Sequence, residues 1–139
     1  MLKLGGYLNI GIAIAHLIGI FWLEKVFRTF GIEGKMAELS QIHFSIPYLT
    51  TLLVATVFFM FGLYGLSASG TFKKLPFLKI GIFLIAGIYL LRGITELVYS
   101  VLNGFFPTMG ILATLIGLLY FLGGLKKWKM KKKNKQITV

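Results

Sequence analysis

Four long apolar runs, Leu4–Leu23, Ile46–Leu66, Pro76–Val98 and Phe105–Leu125, fill most of the chain and leave few folds open to it. A helix needs about 20 apolar residues to cross a hydrocarbon core of about 30 Å. Each run approaches or exceeds that length. A helix at the surface of a water-soluble protein keeps a polar face, whereas these runs are apolar nearly all round. With 57% hydrophobic residues and a mean hydropathy of +0.85, the chain reads as a membrane protein.

The expected fold class is therefore all-α: a polytopic four-transmembrane-helix bundle over residues 1–125, followed by a basic tail over 126–139. Cysteine is absent, which removes disulfides, thiol chemistry, iron–sulfur clusters and Cys-bound zinc. Lys3 before an apolar stretch, with Ala13-Ile14-Ala15 inside it, resembles a secretory signal. The run continues to Leu23, longer than a signal core requires, so a retained first span is expected.

Charge orients the helices. Lys3, then Lys73, Lys74 and Lys79, then Lys126, Lys127, Lys129, Lys131, Lys132, Lys133 and Lys135 all fall on one side of a four-span threading. The opposite connections carry only Lys25, Arg28 and Lys35. Eleven against three predicts that both termini face the cytoplasm of a bacterial inner membrane. The same asymmetry accounts for most of the net charge of +11. A lysine-rich tail can bind nucleic acid. Just inside a membrane it needs no such partner, because anionic lipid attracts each lysine by about 1 kcal/mol. Trp128 suits an interfacial anchor there. The expected partners are the lipid bilayer and anionic lipids at the tail, without nucleic acid.

The connection Glu24–Ser45 predicts a short amphipathic outer segment. Leu23, Val26, Phe27 and Phe30 share one helical face, and Met36, Leu39 and His43 another, with Gly31 and Gly34 between. The segment is either a lid over the bundle or a plain interfacial connector. Ser45 and Pro47 fit the start of the second span. The connection Ser100–Gly104 is so short that the third and fourth helices must be antiparallel neighbours. Two faces of small residues invite close packing, within the bundle or between subunits. One follows Pro107, Gly110, Thr114, Gly117, Phe121 and Gly124; the other follows Gly11, Ala15 and Gly19.

The residues able to carry chemistry are few. Tyr89, Arg92, Glu96 and Tyr99 are spaced three, four and three apart, so they share a face of the third span. Arg92 and Glu96 can pair. A charge at the centre of a membrane helix costs about 2.5–3.5 kcal/mol on insertion scales and marks a site or a partnered interface. Counted from Pro76, Arg92 lies about 24 Å along the axis, toward the outer interface, where it could snorkel to headgroups. His16 falls at a similar height on the first span, seven residues after Asn9. It reads first as an interhelical hydrogen-bond donor. His43, Tyr48 and Thr51 begin the second span on the same side. Two histidines and four glutamates form no HExxH, Glu-x-x-His or His cluster, so neither a metal nor a cofactor is expected. No hydrolase, kinase or phosphate-loop motif is present, and no catalytic residue is assigned.

At Leu63-Tyr64-Gly65-Leu66-Ser67-Ala68-Ser69-Gly70, Leu75-Pro76-Phe77-Leu78 and Tyr89-Leu90-Leu91-Arg92-Gly93, about the middle third of the chain resembles small uncharacterised bacterial four-helix inner-membrane proteins. In size and layout it is also similar to DoxX-like proteins. The resemblance implies a bacterial inner-membrane bundle and no activity.

The leading expectation is a small inner-membrane protein with a ligand- or proton-binding polar site in the outer half of the bundle, related to transport. Arg92 would anchor an anion, Glu96 would set its charge state, and His16 and Tyr89 would supply hydrogen bonds. A transport role would call for a homodimer. The alternatives are a non-catalytic accessory or scaffold subunit of a larger membrane complex, and a lipid- or quinone-modifying enzyme using His16 and Glu96 as acid–base groups.

Overall fold

The computed structural model describes residues 1–104 and 106–137, with side chains described through residue 129 and Phe105 excluded. All regular structure among these residues is helical: α1 (Leu2–Gly19), a 3-10 turn (Ile20–Trp22), α2 (Leu23–Thr29), α3 (Glu33–Ile42), α4 (Ile46–Ser69), α5 (Leu78–Asn103) and α6 (Thr108–Ile137). Four stretches are long and apolar enough to cross a membrane: Leu2–Thr29, Ile46–Ser69, Leu78–Asn103 and Thr108–Lys129. The all-α class with four membrane-length helices is thus the observed one. Large apolar side chains stay exposed along all four, among them Leu53, Leu84, Leu91 and Leu115. Outward apolar surface on this scale calls for lipid rather than water around it.

The chain divides into two compact units, one of Asn9–Phe61 and one of Met1–Leu8 with Gly62–Val139. In the first, Trp22 leaves helical geometry at φ −135° and ψ 41°, which ends the first long helix and starts α2. Gly31, at φ +66°, makes the turn between α2 and α3. Gly34, expected to share that break, lies inside α3. The amphipathic connector is therefore two short helices, as its apolar spacing predicts. Its inner side buries Leu23 and Phe27. Extended backbone at His43 ends α3, and α4 opens with Pro47 in its first turn, where a missing N–H leaves no bond unmade.

The second unit is built on α5 and α6, antiparallel and packed along their length. Glycines set their separation. A Cβ on Gly93 would collide with the Thr114 hydroxyl and lie 2.8 Å from the Thr114 N and 2.9 Å from the Gly110 O. On Gly117 it would meet Leu90 at 2.9 Å, and on Gly110 it would press on the Glu96 Cβ at 3.0 Å. Further along, Phe83 and Phe121 meet edge to face at 6.1 Å. The small-residue face read from α6 is thus the face against α5.

Glycines let the start of α1 and the end of α4 pack closely within this unit. Gly6 and Gly65 approach so closely that a Cβ on Gly65 would fall 2.8 Å from the Gly6 Cα and 2.6 Å from the Tyr120 OH. Tyr120 is wholly buried and is the largest side chain in the interior. By contrast, nothing lies within 4 Å of a Cβ on Gly11. Within this unit the close approach of α1 is made at Gly5 and Gly6.

The end of α4 is tied down by polar groups. Thr71 N donates to the Leu66 carbonyl at 3.0 Å, through a turn that needs Gly70 at φ +83°. Leu75 N donates to Ser67 Oγ at 3.0 Å, and Tyr64 OH to the Pro76 carbonyl at 3.3 Å. Lys127 Nζ donates to the Ala68 carbonyl in the last turn of α4, a cation at the negative end of a helix. α6 continues without a break past Lys126 to Ile137, so the basic tail begins as an extension of the last helix. The side chains of Lys131, Lys132, Lys133 and Lys135 lie outside the described residues.

Candidate functional site

α5 carries the charged residues because its buried stripe is narrow. Ile82, Ile85, Ala86, Tyr89, Gly93 and Ser100 form that stripe, on one face of a helix that turns 100° per residue. Arg92 sits at its margin and points away, with 65% of its side chain exposed; Glu96 lies closer to the stripe, at 25%. The two stand one turn apart, Arg92 Nη2 to Glu96 Oε2 at 4.0 Å. At that separation the charges attract without a hydrogen bond.

Around them is a shallow depression lined by Ile88, Leu91, Arg92, Thr95, Glu96 and Tyr99. All six belong to α5, so this is an outward helix face rather than an enclosed cavity. Thr95 Oγ1 donates to its own helix at Leu91 O, 2.8 Å away. The hydroxyl is thereby satisfied without a partner helix.

Arg92 lies fourteen residues, about 21 Å, from the start of α5 at Leu78, nearer the Asn103 end. α5 runs to Asn103, five residues beyond Val98, which leaves eleven residues, about 16 Å, past Arg92. Register with α6 places this level toward the same end of the helix pair. Gly93 lies against Thr114. Thr114 is twelve residues, about 18 Å, from Lys126 and six residues, about 9 Å, from Thr108.

The four residues expected to share a site fall in three settings. Arg92 points outward, with Glu96 one turn on and turned toward Gly110 of α6. Tyr89 is 95% buried, on the inward stripe of α5. Its side chain therefore turns inward, while that of Arg92, three residues on, points outward. His16 belongs to the other unit, where its Nδ1 donates to the Ile12 carbonyl one turn back on its own helix, at 2.8 Å. Its ring lies 5.2 Å from that of Phe58. The expected interhelical bond of His16 is thus an intrahelical one. Nearby expectations resolve in the same way: Thr51 Oγ1 donates to the Pro47 carbonyl at 2.9 Å, and the exposed His43 accepts from Ser45 N at 3.2 Å while stacking on Phe44. Among the described residues no three carboxylate or imidazole groups gather at one point.

Thr95 is the member of the outward face that spacing could have found and charge could not. Ile88 and Thr95, like Arg92 and Tyr99, are seven apart, the spacing of one helix-pairing seam. No protein-family model, curated protein or solved structure matches the chain.

Proposed function

We propose that this protein is a small multi-pass membrane protein that serves as a docking subunit, with the Arg92–Glu96 face of α5 as its contact surface. One observation carries the reading: Arg92 projects from an apolar helix with 65% of its side chain exposed and is only loosely paired, at 4.0 Å, with Glu96 one turn on. A guanidinium has five donors in a fixed fork, and lipid chains offer it no acceptors. Charges of this kind inside a membrane mark contacts with protein, water or ligand. An enclosed ligand site built from Arg92, Glu96, His16 and Tyr89 has less support, because Tyr89 turns inward and His16 bonds to its own helix.

The setting is a bacterial inner membrane with both termini in the cytoplasm, on the strength of the lysine asymmetry. Anionic lipid headgroups are the partners of the lysine-rich end of α6. The experiment is native-gel mass of the tagged full-length chain, extracted in mild detergent, beside the Arg92→Gln/Glu96→Gln variant. The wild type should migrate as a complex and the variant as the lone chain, with equal membrane insertion. Equal mass for the two would remove the docking role from this face.

A further inference from the structure

We propose that lysines from α1, from the turn between α4 and α5, and from α6 form one folded site for the phosphate headgroup of an anionic lipid. The proposal rests on the lipid contact given above to the end of α6, assigns that contact a place, and uses nothing of the α5 docking face. Three contacts within one unit bring the segments to one end. Leu2 packs on Gly123, where a Cβ would meet the Leu2 Cγ at 2.8 Å, so Lys3 stands within about a turn of Lys126. Lys127 donates to the Ala68 carbonyl and so holds the start of the turn that bears Lys73 and Lys74 against α6. The Phe83 ring lies 5.8 Å from that of Trp128, and Lys79 is one turn before Phe83 on the same face of α5. Lys3, Lys73, Lys74, Lys79, Lys126 and Lys129 are all exposed.

These six ammoniums bring no counter-charge with them. The acids of the chain are Glu24, Glu33, Glu38 and Glu96. The first three belong to the other unit, and Glu96 follows Lys79 by seventeen residues, about 26 Å along α5. Both ion pairs among the described residues, Arg28–Glu33 and Arg92–Glu96, lie in other segments. Ammoniums gathered at one end repel within a screening length of about 8 Å, and an anion bound among them gains from several at once. The surroundings select a lipid. Phe72 and Phe77 stay 38% and 79% exposed beside Lys73 and Lys74, with the Lys73 ammonium 5.9 Å from the Phe72 ring. Rings interleaved with lysines suit the headgroup level of a membrane, where the ring meets acyl chain and the ammonium meets phosphate. A free phosphate would leave both rings in water.

Two variants that each lose four lysines separate a folded site from net charge. One is Lys3→Gln/Lys74→Gln/Lys79→Gln/Lys126→Gln; the other is Lys131→Gln/Lys132→Gln/Lys133→Gln/Lys135→Gln, farther along α6. Each leaves seven lysines on this side against three basic residues on the other, and neither replaces Lys127. The full-length chains, in dodecyl maltoside, are titrated with phosphatidylglycerol or phosphatidylcholine, and bound lipid is counted by native mass spectrometry. The wild type and the second variant should retain phosphatidylglycerol equally well and in preference to phosphatidylcholine. The first variant should bind it several-fold more weakly. Without lipid that variant should melt no lower than the wild type, because removing like charges relieves their repulsion. If it melts lower, Lys79→Gln/Lys126→Gln against Lys132→Gln/Lys133→Gln repeats the comparison with half the substitutions.

Equal weakening in the two variants would overturn the folded site and leave lipid attraction to net charge. A wild type that takes both lipids alike would overturn the lipid contact on which the site rests. Release of phosphatidylglycerol by an equal concentration of inorganic phosphate would make the ligand a soluble anion and overturn the choice of lipid.

Discussion

At the residue scale, the strongest constraint is the absence of a side chain. Gly93 has Thr114 and Gly110 against its Cα, with backbone atoms at 2.8 and 2.9 Å from where a Cβ would stand. Backbone cannot swing aside as a flexible side chain can, so Gly93→Val must separate α5 from α6. Overpacking of this kind costs about 1–3 kcal/mol or more. Gly87, on the same helix, has nothing within 4 Å of its Cβ position. Gly93→Val should therefore lower the thermal midpoint in detergent by several degrees, and Gly87→Ala should leave it within error or raise it. Similar midpoints for the two would contradict the packing described. Tyr120 makes the opposite case. It is wholly buried against Gly5 and Gly65, and Tyr120→Ala should be destabilising by about 3–5 kcal/mol, read as loss of folded protein in a detergent titration.

Much of this was legible in the sequence, and the reasons differ from residue to residue. The glycine–threonine face of α6 was readable because small residues recur at helical spacing and have no other use in lipid. The corresponding face of α1 is open at Gly11. Gly11, Ala15 and Gly19 have the same spacing, yet the close contact uses the adjacent Gly5 and Gly6, a pair without periodicity. Periodicity identifies a stripe; it does not say which stripe finds a neighbour. The site residues show the same gap. Arg92 and Glu96 are neighbours because four residues make one turn. Tyr89 was grouped with them by that rule too, although a helix face about 100° wide can hold both an inward tyrosine and an outward arginine. His16 could not be placed from spacing at all, since a histidine in a helix can donate to its own carbonyl four residues back.

At the element scale, the turn between α4 and α5 depends on a lysine nearly sixty residues away. Lys127 donates to Ala68 O at the end of α4, while its ammonium lies 5.7 Å from the Trp128 ring. Ser67 Oγ holds Leu75 N on the other side of the same turn. Hydrogen bonds to a charged group contribute about 1.5–3 kcal/mol when shielded from water. Half-burial of Lys127 favours the lower end of that range. Lys127→Met keeps the apolar stem and removes the donor. It should speed hydrogen exchange of the amides over residues 66–75 several-fold while leaving those of α5 and α6 unchanged. The exposed Lys126→Met should change neither. Exchange equal in the two variants would show that the lysine contributes charge to this end of the molecule and no structure. The run of lysines was read as topology and lipid attraction alone, because nothing in a basic tail announces that its second member caps a distant helix.

At the scale of the whole molecule, the one property every functional reading shares is the direction in which the helices thread the membrane. That direction rests on the eleven lysines of one side against Lys25, Arg28 and Lys35 on the other. Seven of the eleven lie between Lys126 and Lys135, on a helix that leaves the apolar core of α6 without a turn. Replacing those seven with glutamine leaves Lys3, Lys73, Lys74 and Lys79, four against three, a bias too small to decide an orientation. The threading should then become mixed. Single cysteines report it in a chain that has none. Ser40→Cys, in α3, should react with a membrane-impermeant maleimide from the periplasm in the wild-type background, and Thr71→Cys should react only after the membrane is opened. In the seven-glutamine background both should react in part from outside. A single unchanged orientation in that background would show that the four remaining lysines, or the order in which the helices insert, set the topology. A Thr71→Cys that reacts from outside in the wild type would reverse the orientation itself, and the basic end of α6 would then face a surface with no anionic leaflet to hold it.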